Sequence, residues 1–382
     1  MRGKPIMRRA VLSSLPLLSL LAATAQAAPP AGLLETIHRH ATLASTVPAN
    51  GDLNPYAIAV APSSVGAIAK GDVLVTNFNN VSNLQGTGTS IVRYSPATGK
   101  LSLFADLPAK TPGCPGGIGL STALAVLRSG WVIVGSAPST DGTTKTLGQG
   151  CLLVLGPDGK LAATWTGPDI VDPWGNIALR DDGDRATLFV SMAGKDVPGP
   201  EARDGTGKPV VVHKASVLRL RLAIPAGKPP RIAARDVVAD GFGQRADAGA
   251  FLIGPTGLAL AGNGTLYVSD ALANRIVAIP DALTRADSAG TGKTVTQGGL
   301  LRRPLAMAMT PGGHLLVTNA LNGQVVEVDP AAGKQVYAQW IVTDQAQTPP
   351  GNGDLFGIAM NPAGTGFYYV ADDVNTLMEA RP

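Results

Sequence analysis

The sequence predicts an all-β fold: a six-bladed β-propeller of four-stranded antiparallel blades, the last closed by an N-terminal strand. Three observations carry this. A two-strand line recurs six times along the chain. Each copy repeats the same contrast of small and large side chains. The sixth copy ends one strand short.

The N-terminus stands apart from the repeats. "MRGKPIMRR" is basic, "AVLSSLPLLSLLAATAQA" is apolar, and Ala25-Gln26-Ala27 is a small-x-small cleavage site. These are the zones of a secretory signal peptide over 1–27, cut after Ala27, which implies a periplasmic or secreted mature chain. Arg8-Arg9 leaves Sec and twin-arginine export both open. The apolar run contains Pro16 and is too short for a membrane span, and no later run reaches about 18 apolar residues. Arg2, Lys4, Arg8 and Arg9 account for four of the 31 basic residues, leaving 27 against 27 acidic ones. Such a neutral chain carries no electrostatic argument for nucleic acid.

The repeats follow. The clearest copies are "NPYAIAVAPSSVGAIAKGDVLVTN" (54–77), "GPTGLALAGNGTLYVSD" (254–270), "RPLAMAMTPGGHLLVTN" (303–319) and "LFGIAMNPAGTGFYYVAD" (355–372). Weaker copies start at Cys114 and Asp172. Their second strands share Val75, Val134, Val190, Val268, Val317 and Val370. Third strands such as "SIVRYSPATGKL" lead through Pro/Asp/Gly turns into fourth strands such as "LSLFADL". Repeated four-strand units of this kind make a propeller. The expected blades span about 54–107, 113–167, 172–240, 254–299, 303–343 and 355–382, within one domain over 28–382.

The first strands sharpen the reading. One face carries Ala57/Ala59, Gly117/Gly119, Asn176/Ala178, Gly257/Ala259, Ala306/Ala308 and Gly357/Ala359, eleven of twelve being Gly or Ala. The other face carries Ile, Val, Leu or Met. Alternate strand residues face opposite ways. One small and one large face lets neighbouring wedges interdigitate where a propeller is narrowest. The sixth blade runs out after "NTLMEA" (375–380), so its outer strand is expected within "IHRHATLASTV" (37–47), removing an exposed edge.

Insertions gather on one face: 79–89, 137–150 and 193–214 between second and third strands, and 240–254 and 343–354 between blades. Loops on a rigid scaffold carry binding. Cys114 and Cys151, the only cysteines, both fall on that face of blade 2, and in an oxidising compartment they are expected to form a disulfide.

The "P-x-G-[IL]-A" and "G-x-L-[YF]-V-[ST]-[DN]" lines resemble the NHL-repeat propellers and, more distantly, the regucalcin (SMP-30)/gluconolactonase and strictosidine-synthase-like families. The lactonase resemblance implies a divalent metal on the axis, held by Glu, Asn and Asp side chains entering the first strands. The matching positions are Tyr56, Gly116, Trp174, Thr256, Leu305 and Phe356. None is a carboxylate or carboxamide, whereas a hard cation takes oxygen ligands. No metal site and no cofactor are therefore expected, a divalent cation being the less favoured option.

Two groups of residues remain as ligand-binding candidates. Tyr56, Trp174 and Phe356 place three aromatics near the central mouth, either as a core plug or as a wall for a ligand with a flat or apolar portion. The ends of the second strands supply Asn77, Ser136, Ser191, Asp270, Asn319 and Asp372. These either brace turns, as Asn and Asp habitually do, or form a polar collar in which Asn77, Asp270, Asn319 and Asp372 hold a ligand. Asp372 and Asp373, read as neighbours on a strand, point opposite ways and make no dyad. His38 and His40 share a face of the closing strand; no G-x-S-x-G or HExxH occurs. Two functions are thus expected from this frame. The favoured one is a monomeric, non-catalytic module binding a small molecule, glycan or protein on the axial loop face. The alternative is a divergent lactonase-, hydrolase- or lyase-type enzyme with its chemistry on the axis.

Overall fold

Among the described residues six β-sheets follow one another along the chain, and five keep their strands in sequence order, the sixth taking in an N-terminal strand. The computed structural model describes residues 32–382, together with Met1 and Gly3; the rest of the expected signal peptide lies outside the described residues. Blade 1 comprises Leu53–Val60, Val73–Asn79, Ser90–Ser95 and Lys100–Asp106. Blade 2 comprises Leu120–Val126, Val132–Ser136, Cys151–Leu155 and Leu161–Trp165. Blade 3 has Ala178–Asp181, Arg185–Met192, Val212–Ala223 and Arg231–Asp247, and adds a fifth strand, Phe251–Ile253. Blade 4 is Pro255–Leu260, Leu266–Asp270, Arg275–Ile279 and Lys293–Gln297. Blade 5 is Pro304–Met309, Leu315–Asn319, Gln324–Asp329 and Lys334–Trp340. Blade 6 is Leu355–Met360, Phe367–Ala371 and Thr376–Arg381, completed by Arg39–Ser45. That closing strand pairs antiparallel with the last one, from Arg39 opposite Arg381 to Ser45 opposite Thr376, so the first and last described strands share one sheet.

The small-against-large packing holds around the ring. Ala57 and Ala59 of blade 1 cluster with Leu124 and Val134 of blade 2. Ala123 and Ala125 of blade 2 cluster with Ile177 and Val190 of blade 3. Ala306 and Ala308 of blade 5 meet Ile358 and Tyr369 of blade 6. The fit is tight enough to require glycine: a Cβ on Gly257 would lie 2.1 Å from the Leu305 carbonyl oxygen of the next blade.

Two registers differ from those read in the sequence. In blade 2 the small pair is Ala123 and Ala125, because Leu124, not Ile118, pairs with Val134. Gly117 sits instead in a turn at φ +95, and Gly119 is pressed against Gly86 of blade 1. In blade 6, Ile358 pairs with Tyr369, so Tyr369 rather than Val370 is the counterpart of the shared valines. "YVAD" imitates "YVSD", but pairing is set by backbone bonds and the buried face, and a one-residue slip exchanges the faces.

A chain of side-chain bonds stitches the hub. The Thr76 hydroxyl donates to the Ser121 carbonyl (3.0 Å), and the Ser121 hydroxyl to the Pro173 carbonyl (2.6 Å). The Asn176 amide makes a two-way bridge to the backbone of Leu258. Ser269 donates to the Leu305 carbonyl (2.6 Å) and Thr318 to the Phe356 carbonyl (2.9 Å). Blade-to-blade joints are thus held by hydrogen bonds as well as by apolar contact. Ser191 belongs to this inner level, where its hydroxyl accepts from the Gly175 N–H at 2.8 Å; Met192, opposite Pro173, takes the strand-end place.

Candidate functional site

The segment 240–254, expected as a connection, is mostly strand. Blade 3's fourth strand runs on to Asp247 and turns back through Phe251–Ile253, pairing Arg245 with Ile253 and Asp247 with Phe251. A blade 1 loop meets this hairpin where Gln85 donates to the Gly249 carbonyl (2.9 Å). The hairpin brings Phe251, at φ +60, onto the aromatic group of the hub. Tyr56 stacks on Phe78 at 5.1 Å, Trp174 stacks on Phe251 at 5.9 Å, and Tyr56 lies 4.4 Å from Phe356. Trp174 is 1% exposed and Tyr56 4%. The three aromatics therefore form, with Phe78 and Phe251, a packed layer across the axis, and Tyr56 and Phe356 also present one side to a cavity.

That cavity holds about 400 Å³. Tyr56, Leu305 and Phe356 line it from the hub, Asp247 and Ile253 from the blade 3 hairpin, Arg303 from the entry to blade 5, and Asp372 and Asp373 from blade 6. Its size is in the range of small-molecule sites, and its lining is apolar with a few convergent charged groups.

Blade 6 supplies the acids. Asp372 and Asp373 are turn residues beyond Phe367–Ala371, not strand neighbours, so both can border one space. Beside them sits Asp354, 1% exposed; its Oδ1 accepts the Asp373 N–H at 2.6 Å and its carbonyl the Asp372 N–H at 2.9 Å. The Asp372 carboxyl accepts no hydrogen bond from any described residue. Burial, then the charges of Asp354 and Asp373, pushes its pKa up to about 8. Asp354 is raised to about 6, mainly by burial and against the pull of the Asp373 N–H. Asp373 is raised by burial and by Asp344, and it accepts from the Gln347 amide. The Tyr56 hydroxyl is pushed well above its ordinary value by burial and by Asp372. Desolvation disfavours the charged form in each case. At pH 7 the cavity thus presents a neutral carboxyl at Asp372.

The other candidates lie elsewhere. Asp270 braces its turn, accepting the Ala273 N–H at 3.2 Å and pairing with Arg275 at 2.9 Å. Asn319 holds the run into blade 5, accepting the Arg302 N–H at 2.9 Å and donating to the Leu300 carbonyl at 3.0 Å. Asn77 donates to the Thr46 carbonyl (3.0 Å) and the Ser90 hydroxyl, tying the closing strand to blade 1. None of the three borders the cavity. The Ser136 hydroxyl donates to the Gly117 carbonyl. Cys114 and Cys151 form a disulfide across 37 residues.

The charged lining residues missed in the sequence are Arg303 and Asp247, together with Asp373, set aside there; Asp354 was missed behind them. The signal was present as "GDLFG" and "ADD" at the entry and exit of blade 6's inner hairpin, but their convergence depends on turn geometry. Another buried acid, Asp172, does not line this cavity; it lies at φ +48, its pKa pushed up to about 8 by burial.

A divalent cation of the kind the lactonase resemblance implies does not fit the axis. The hub positions are Tyr56, Ser121, Trp174, Thr256, Leu305 and Phe356; Ser121, not Gly116, takes blade 2's place, since its carbonyl receives the Thr76 bond. Gly116 instead borders a separate hollow beside Cys114 and Pro138. This ring carries no carboxylate, the Ser121 hydroxyl is committed to Pro173, and that of Thr256 to the Gly254 carbonyl. No group of three or more His, Cys, Asp or Glu able to hold a metal occurs among the described residues. No described helix is long and apolar enough to cross a membrane.

No protein-family model and no curated protein sequence matches the chain. Solved structures do match its fold. A gluconolactonase from Xanthomonas campestris superposes with a TM-score of 0.55 at 14% identity, covering 91% of each chain. A PQQ-bound aldose sugar dehydrogenase from Streptomyces coelicolor gives 0.53 at 16%, covering 93% of this chain and 99% of the other. A luciferin-regenerating enzyme gives 0.55 at 11%, covering 87% and 93%. At such identities the likeness establishes the six-bladed fold.

Proposed function

We propose that the axial cavity is the active site of a hydrolase- or lyase-type propeller enzyme that works on a small polar substrate by carboxyl acid–base chemistry. The observation that carries this reading is Asp372: a desolvated, unpaired carboxyl bordering the cavity, with a pKa of about 8. Burying an acid without a partner costs stability, and such groups cluster where proton transfer is needed. A binding module would have the same cavity but no use for that cost. The enzymes among the fold's neighbours, a gluconolactonase and a sugar dehydrogenase, support the same choice.

Asp372 enters the reaction protonated. In the hydrolytic case it passes its proton to the carbonyl oxygen while taking one from the water that adds to the carbonyl carbon. It then protonates the departing oxygen while taking the proton of the new hydroxyl as the carbon–oxygen bond breaks. In the eliminating case it protonates the departing oxygen and its carboxylate takes the proton lost from the adjacent carbon. Asp354 does not touch the substrate; its charge holds the proton on Asp372. General acid catalysis of this kind contributes roughly 10²–10⁴ in rate. The disulfide supports a periplasmic or secreted location.

Turnover of aldonolactones and aryl esters, measured with and without EDTA, tests the reading. Activity that falls as pH rises through about 8, survives EDTA and drops at least about 100-fold in Asp372→Asn is expected. Stoichiometric metal with turnover abolished by chelation, or full activity in Asp372→Asn, overturns it.

A further inference from the structure

The acid–base role leaves one charged group of the cavity without a task. Arg303 enters blade 5 at φ +56, in the left-handed region that side chains other than Gly, Asn and Asp rarely adopt. The position is held from both sides: its N–H donates to Asn274 Oδ1 at 2.8 Å and its carbonyl accepts the Ala320 N–H at 3.0 Å. Strained backbone persists where the surroundings over-determine it, and here it delivers the side chain to the cavity wall.

There the guanidinium is only 20% exposed and makes no hydrogen bond to any described residue. Its nearest opposite charge, Asp247 Oδ2, is 3.7 Å away, and the Arg245 guanidinium already holds that oxygen at 3.0 Å. A guanidinium bordering the cavity, with five N–H donors and only a long ion pair to Asp247, offers itself to an acceptor there. Asp372, across the same space, holds its proton to about 8 and so is mostly neutral at pH 7; of the other acids bordering the cavity, Asp247 is paired with Arg245 and Asp373 accepts from Gln347.

We propose that Arg303 anchors a carboxylate of the substrate, which makes the cavity's substrate class a small organic acid. The planar fork of a guanidinium matches a carboxylate with two parallel hydrogen bonds. The apolar side of Tyr56, Leu305 and Phe356 takes the body of the molecule, and Asp372 meets its reacting oxygen. The reaction assigned to the site rests on the acid–base reading above; the anchor stands on Arg303 alone.

Titration calorimetry of the purified protein tests it, with phenylacetate and gluconate as probes, each beside its primary amide, and inorganic phosphate as a third. At least one acid is expected to bind ten times more tightly than its amide. Arg303→Gln brings the two to parity, while Asp270→Ala, outside the cavity, keeps the preference. If Arg303→Gln does not fold, Arg303→Lys carries the test with an expected loss of at least fivefold, since lysine does not reproduce the fork. Equal binding of acid and amide, binding of neither, a preference that survives both arginine substitutions, or phosphate binding above both acids overturns the proposal. A carboxylate preference without turnover retires the acid–base reading and leaves the anchor. Turnover of neutral lactones with no carboxylate preference does the reverse.

Discussion

Replacing Asp372 with asparagine should make this protein more stable, and increasingly so as pH rises. In the unfolded chain the carboxyl titrates at its ordinary 3.8; in the fold it holds its proton to about 8. Between those values the native state binds more protons than the unfolded one, so each pH unit costs up to about 1.36 kcal/mol of stability. The protonated form's contribution is complete below 3.8, fades through the window and is gone above about 8. Asparagine is neutral throughout and nearly the same size. The full shift sets a ceiling of about 6 kcal/mol at pH 9, and water reaching the cavity side of the group brings the expected gain to about 2–4 kcal/mol. The assay is denaturant unfolding of both proteins at half-unit steps from pH 5 to pH 9. Asp172 also titrates high, but it is present in both proteins and cancels in the difference; Asp354, coupled to Asp372 by charge, contributes part of the difference measured. A difference that is flat with pH, or a variant less stable than the wild type at pH 8, would refute the claim that Asp372 is largely desolvated and unpaired. Gained stability alongside lost turnover is the trade expected of a functional acid.

Further outcomes follow from the hub and the loops. Gly257→Ala should lose about 1–3 kcal/mol, because its new Cβ would sit 2.1 Å from the Leu305 carbonyl oxygen and the closed ring cannot widen locally; Gly262→Ala, which meets nothing within 4 Å, should be neutral or slightly stabilising by thermal melting. Ser269→Ala removes the hydroxyl that accepts from the Gly257 N–H and donates to the Leu305 carbonyl, both at 2.6 Å; a loss of about 2–3 kcal/mol in denaturant unfolding is expected, as two buried backbone groups are left unpaired. Substituting Cys114 and Cys151 together by serine opens a 37-residue loop and should cost about 3–4 kcal/mol on the chain-entropy estimate. Asp270→Ala should cost about 1–2 kcal/mol through its lost turn bond and ion pair while leaving binding of phenylacetate and gluconate unchanged, since it does not border the cavity.

Strand periodicity is a local property, and a repeat writes it many times. That is why blade number, the closing strand and the small-against-large packing could be read from alanines, glycines and valines alone: each such residue answers to the same crowding at the axis. Averaging over copies also hides their individual offsets. In blade 2 Leu124 took the place expected for Ile118, and in blade 6 the "YVAD" imitation at 369–372 moved the register by one residue, and with them Ser121, Tyr369 and Asp372 changed neighbours. Asp372 still fell at the cavity, but as a turn residue and for a different reason.

The ring and its manner of closing were therefore determined by the sequence, because hydrophobic alternation and side-chain volume act between residues whose spacing the strand itself sets. The cavity was decided by the tertiary structure. Its acid comes from one blade, its guanidinium from the entry to another and its cover from a hairpin that reads as a connecting loop. No periodicity joins Asp372, Arg303 and Asp247. What joins them is exclusion of water from a shared space, and that arises only when the ring has closed.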